Sequence, residues 1–244
     1  MRTREKALLI VALSASLSAC GGGGGGGTTV VSFFPLQTAV ANLYSTGYQK
    51  TAVVSGTALA SGVAYPVSGA VTLTLTPAAN PTLFEGQNAL VSTASVVGSI
   101  TVIGQTLSFG STTQGYLSPA YEPLGYAGNG QYCVAPVPGS YPSTVTVGQT
   151  GPIVAYNCYT DSTMTTPTGS ESLSFAVAPG PTSFTATVSL IDTFVDLSSV
   201  QQFTAQDNYV IDTAGNYTFV SETGQQTIDA NGTPMTVNLT ITPQ

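Results

Sequence analysis

The sequence predicts an all-β fold, either an antiparallel sandwich or a meander of sheets rolled toward a barrel. Three observations carry this. Charged residues make up 6% of the 244-residue chain, far below the usual quarter, so the long charged side chains that favour helices are scarce. Val, Thr, Tyr and Phe, which suit a pleated and half-buried surface, are plentiful. Short alternating segments recur between turns containing Gly, Pro and Asn, and no segment reads as an amphipathic helix of useful length. Apolar residues at 42% suffice to build a core, so the body is not a disordered chain.

Taken in order, Thr28 to Tyr48 is a lead-in with apolar clusters, Val30-Val31 and Phe33-Phe34, and no clear period. Thr51 to Ala58 alternates weakly. Ala70 to Thr76 alternates cleanly, with Val71, Leu73 and Leu75 on one face and threonines on the other. Pro77 ends it, and Asn80-Pro81 marks a turn. Strands are expected at Leu90–Val97, Ser99–Ile103 and Gln105–Phe109, with Gly98 and Gly104 as spacers and Glu85-Gly86 as a turn. Gly115 to Pro142 is rich in Tyr, Pro and Gly and reads as a long ordered loop or crossing. Only Gln131–Ala135 within it has strand character.

Strands resume at Val145 and Val147, then at Ile153–Tyr159, Ser172–Val177 and Ser183–Ile191, where Phe184, Ala186, Val188 and Leu190 share a face. Gln202–Ile211, Asn216–Ser221 and Met235–Ile241 complete the set. Gly215-Asn216, Gly224 and Asn231-Gly232 supply turns. The all-β body spans residues 30–244, with sub-halves at about 48–115 and 143–244. Many short strands at close spacing favour a sandwich or a barrel.

The first 19 residues have the parts of an export signal. Arg2, Arg4 and Lys6 give a positive start, and Ala7 to Ala19 is a short apolar run ending in small residues. The run is shorter than the roughly 20 residues that a membrane-spanning helix needs. Leu17-Ser18-Ala19-Cys20 resembles the lipobox of bacterial lipoproteins, a resemblance confined to this signal. It implies cleavage before Cys20, acylation of Cys20 with palmitate-type chains, and durable attachment to a membrane. The residue after the cysteine is Gly21 rather than the Asp that in this family retains proteins at the inner membrane, which leans toward the outer membrane. Gly21–Gly27 cannot pack. Residues 20–29 therefore read as a lipidated cysteine and flexible tether, in which seven glycines reach roughly 15 Å.

Charge and missing residue types narrow the function. Cleavage would remove Glu5 and three bases, leaving Lys50 against 11 − 1 = 10 acids, a formal charge of 1 − 10 = −9. Phosphate binding needs clustered Lys and Arg, so nucleic acid is not a partner. With no histidine in the chain, Ser-His and Cys-His nucleophile pairs and imidazole metal sites drop out. No cofactor or metal site is expected. In an exported chain Cys133 and Cys158 are expected to form a disulfide.

Asp192, Asp196, Asp207 and Asp212 form the densest acidic stretch and are read as solvated turn acids. On a straight strand Asp192 and Asp196 stand about 13 Å apart, too far for a glycosidase pair. Tyr116, Tyr121 and Tyr126 head a group of seven tyrosines within residues 116–159. They either hold the long loop onto a sheet or present a surface to a protein or glycan. The expectation is a membrane-tethered, non-catalytic binding or structural lipoprotein. One alternative is a barrel-like carrier of an apolar ligand. Another is a carboxylate-dependent hydrolase, which requires two acids to converge in one cleft with separated pKa values.

Overall fold

A computed structural model of the chain describes residues 32–230 and 233–244. The lipobox, Cys20, the glycine tether and Asn231-Gly232 lie outside the described residues. The chain folds as one short helix, α1 (Leu36–Thr46), and thirteen strands. The strands are β1 (Tyr48–Ala60), β2 (Val63–Leu75), β3 (Asn80–Phe84), β4 (Gln87–Val102), β5 (Gln105–Leu117), β6 (Pro123–Gly128) and β7 (Gln131–Val134). They continue as β8 (Thr150–Tyr159), β9 (Pro167–Pro179), β10 (Thr185–Asp196), β11 (Gln201–Asp212), β12 (Tyr217–Ala230) and β13 (Thr233–Pro243).

Every pairing is antiparallel, and most strands pair with their neighbours in sequence. Two pairings between strands further apart in sequence complete the ring: β1 joins β13, and β2 joins β4. The result is a closed up-and-down barrel of twelve strands, with β3 as one extra strand on β4. Closure satisfies the backbone groups that an open sheet would leave at its edges.

Strand register fixes which side chains enter. Val54, Val71, Ile100, Leu239, Val188 and Ile211 face inward and are buried. The alternate positions carry Ser, Thr, Gln and Asn to the outside, where Asn208 links Ser189 and Ser221 by hydrogen bonds of 2.7 and 3.0 Å. This polar-out pattern is the reverse of a membrane-spanning barrel, whose lipid-facing positions are apolar.

The seam between β2 and β4 is tight. A Cβ on Gly69 would lie 2.1 Å from the Ser99 carbonyl oxygen, and one on Gly98 2.2 Å from that of Ala70. Only glycine allows the wall to curl this sharply. Gly98 therefore lies within one continuous strand, β4, instead of separating two. Gly224 likewise sits inside β12, not in a turn.

Several other expectations change. The 28–48 lead-in contains α1, whose buried Leu36, Ala39, Val40 and Leu43 fall at i, i+3, i+4 and i+7. The helix stoppers one end of the barrel. Its N-terminal approach is pinned where Phe34 and Val145 exchange backbone hydrogen bonds of 2.9 and 2.8 Å. That bridge is all that remains of the strand expected at Val145 and Val147. Asn80-Pro81 begins β3 and is not a turn. The long loop supplies the expected strand at Gln131, β7, and also an unexpected one, β6, and the two complete the ring. Phe184 precedes β10 and is 71% exposed, so it does not share the inward face of Ala186 and Val188.

Candidate functional site

The stoppered end is filled. Leu36, Ala39, Val40 and Leu43 of α1 meet Val188, Tyr209, Ile211 and Tyr217, leaving about 10 Å³ between them, room for about one water. Among the described residues no helix covers the opposite end. Val63 and Leu107 point inward by register, beside Ala60 and Ile100, yet are 51% and 56% exposed.

Between these ends lies a layer of four carboxylic acids. Glu171 on β9 sits opposite Tyr156, and two residues on, Leu173 pairs with Asp192 of β10. Asp207 of β11 pairs with Leu190 on one side and with Glu222 of β12 on the other. The register therefore sends Glu171, Asp192, Asp207 and Glu222 to the barrel interior from four consecutive strands. Glu171 is 6% exposed. The other three are half-buried, with their side chains turned inward by register.

Burial is the main force on these groups. It pushes Asp207 up to about 7. It also raises Glu222 well above the usual carboxylate range, with Asp207 adding to the shift. Asp192 is raised strongly by burial and then by the neighbouring Glu171, with which it shares a hydrogen bond. Glu171 is raised by burial against the lowering effect of its bonds to Tyr126 and Asp192. The Tyr126 hydroxyl donates to Glu171 Oε2, and the Tyr126 and Tyr156 rings meet edge to face at 5.7 Å. Tyr44, pushed up to about 12 by burial and then by Asp207, closes the layer from the helix side. Tyr48 and Tyr209 stand within reach of Asp207 and Glu222, and burial followed by Asp207 raises both. No N–H or hydroxyl donor reaches Asp192 Oδ1 or Gln226 Oε1, and neither oxygen has accessible surface.

The four aspartates singled out in the sequence thus divide. Asp196 and Asp212 are turn acids. Asp196 accepts from the Ser198 and Val200 amides at 2.8 and 3.0 Å, and Asp212 from the Ala214 and Asn216 amides at 2.9 Å each. These backbone bonds hold the Asp196 carboxyl below the usual range, and the Asn216 side-chain amide, donating to Asp212 at 2.8 Å, does so for Asp212 together with its backbone bonds. Asp192 and Asp207 are not solvated turn acids but part of the interior layer. Glu171 and Glu222 were missed. Period-2 alternation could have found them, because Glu171 is in phase with Leu173, Phe175 and Val177.

The predicted disulfide is formed between Cys133 and Cys158, which face each other across β7 and β8 beside Glu171. These two sulfurs and Glu171 are the group nearest to a metal site among the described residues, but sulfurs bonded to each other cannot ligate. The three tyrosines do not share a surface. Tyr126 faces the interior, and Tyr116 stacks on Phe84 at 4.1 Å outside the ring. Tyr121 occupies a turn, its amide bonded to Ser118 at 2.8 Å. A separate groove of about 430 Å³ runs outside, between Val137-Pro138 and β8–β9.

No family model matches the chain, and no curated protein does. A solved structure of a DUF1329 family protein from Desulfovibrio piger aligns with 84% of this chain and 91% of its own, at 6% identity and a TM-score of 0.25. That likeness is too slight to carry an argument.

Proposed function

We propose that this chain is a membrane-tethered, non-catalytic binding protein, a lipoprotein held at the outer membrane through Cys20, whose barrel encloses a small ligand. The observation that carries the binding reading is the asymmetry of the barrel. One end is plugged by α1, no helix among the described residues covers the other, where Val63 and Leu107 are exposed, and inward acids between them are half-buried. Closed barrels of this kind hold ligands in their interiors. The apolar half under α1 is already packed, so a ligand would sit toward the carboxyl layer and the far end.

The hydrolase alternative required two converging acids, and Glu171 and Asp192 do converge. Burial raises both, while their shared hydrogen bond lowers Glu171 and raises Asp192, so the two are pushed apart and the hydrolase stays as the second reading.

Two measurements test the reading. Non-denaturing mass spectrometry of the full chain, extracted from its own membranes in mild detergent, should find a stoichiometric small-molecule adduct that unfolding releases. A chain that always arrives at its bare mass would count against an enclosed ligand. Cys20→Ser should move the protein from the membrane pellet to the soluble fraction. Retention in the pellet would remove the tether.

A further inference from the structure

Four acids lie side by side on one inner wall of the barrel, and among the described residues no base answers them. Among the described residues the single base is Lys50, which is exposed. A buried carboxyl without a cation or a full set of donors is costly, and here two inward oxygens, Asp192 Oδ1 and Gln226 Oε1, receive no donor at all. An apolar barrel of the same size would be more stable. The polar layer is better explained by something that it holds.

We propose that the barrel interior seats a linear aliphatic diamine or polyamine, with one ammonium at the Glu171–Asp192 pair and another at the Asp207–Glu222 pair. The inference rests on the enclosed-ligand reading above and names that ligand's chemistry. Geometry favours an extended dication over a compact ion. The acids form two pairs, not one cluster: Glu171 hydrogen-bonds Asp192, and Asp207 shares a rung with Glu222. Asp192 pairs with Ala205, two residues before Asp207, so the nearest members of the two pairs, Asp192 and Asp207, are diagonal neighbours about 7–8 Å apart. A short alkyl spacer covers that distance. Among the described residues no three carboxylates come close enough to share one metal ion.

The surrounding rings suit the same guest. Tyr126 and Tyr156 flank the first pair, and Tyr48 and Tyr209 the second. Aromatic faces and methylene spacers pack together, and the faces attract ammonium groups. The uncovered end at Val63 and Leu107 offers a neutral entry for a flexible chain.

The test is calorimetric titration of the full chain, in mild detergent, with putrescine, spermidine and the monoamine butylamine. Saturable binding is expected for the first two, with butylamine at least tenfold weaker. Asp192→Asn and Asp207→Asn should each weaken putrescine at least tenfold. Asp196→Asn and Asp212→Asn, which alter only turns, should leave it unchanged. Thermal melts of the two interior variants, which remove charge but keep shape, show whether the barrel is intact. If either fails to fold, the butylamine comparison on the unaltered protein still decides.

Lack of saturation by either polyamine would overturn the proposal. So would equal affinity for butylamine, or equal losses in the turn variants, which would reveal loose counter-ion binding to an acidic surface. A neutral or anionic adduct in the mass spectrum, with no amine binding, would sink the amine and leave the enclosed ligand standing. A bare mass together with no amine binding would remove both.

Discussion

Asp207 stands directly across a ladder rung from Glu222, two carboxylic acids on adjacent strands with both side chains turned into the barrel. Like charges in that relation repel. The native fold therefore favours their neutral forms, and stability must depend on pH. Burial raises Asp207 from the ordinary carboxylate value of 3.8 to about 7. In that window the unfolded chain has released the proton and the native chain still holds it. Stability is thus greatest below the unfolded pKa and falls as pH rises to about 7, where the loss levels off for this group. Glu171, Asp192 and Glu222 are raised as well and extend the loss in the same direction. Urea unfolding at about pH 5 and pH 8 should show the higher midpoint at the acid end, with Asp207→Asn narrowing the gap. A higher midpoint at pH 8 would contradict the burial of the layer.

The disulfide closes a loop with a sequence separation of 25. Chain-entropy arithmetic gives such a bond about 3.5 kcal/mol. The double variant Cys133→Ala with Cys158→Ala should lose on the order of 3 kcal/mol in denaturant unfolding. β7 has only four residues to hold β6 to β8, so amide exchange should quicken there first. Loss spread evenly over all strands would argue that the bond is not local to this wall.

Four hairpin turns carry a residue and a glycine with positive φ: Ser61-Gly62, Glu85-Gly86, Ile103-Gly104 and Asn129-Gly130. Asn suits that conformation, and a β-branched residue does not. Ile103, at φ 52° and 62% exposed, is the misfit. Ile103→Asn should raise stability by about 1 kcal/mol, read as a higher melting temperature.

The seam where β2 meets β4 leaves no room for a methyl group. Gly69→Ala would place a Cβ 2.1 Å from a backbone oxygen that no rotamer can avoid. The expected cost is roughly 2–4 kcal/mol. Gly110→Ala, whose nearest neighbour would be 3.9 Å away, should cost under about 1 kcal/mol. Equal effects of the two would mean that the seam yields.

Much of this barrel is legible in the sequence. Ala70–Thr76 alternates because it has one wet face and one dry face, and the strand reading follows. The cysteines pair as their number and expected compartment imply. What escaped had competing physical causes. α1 is only eleven residues, and its apolar stripe merges with Phe33-Phe34 and the tyrosines that follow. Gly98 and Gly224 look like turn residues but mark curvature and close packing within strands. The interior acids hid because an acid in a serine- and threonine-rich strand looks solvent-facing. Only a strict count of two from Leu173 to Glu171, or from Tyr209 to Asp207, turns them inward. The ring closure itself is a pairing between β1 and β13, which no local pattern signals.

That last pairing has a consequence for how the molecule comes into being. A chain made from its N-terminus can zip β4 through β12 hairpin by hairpin, since each partner has only just appeared. β1 must wait for β13, whose final residue, Pro243, pairs with Ala52. The ring therefore shuts last, when β13 arrives, and the acid-lined interior stays accessible from the side until then. Truncation by a single strand would leave two raw sheet edges and a protein prone to associate through them.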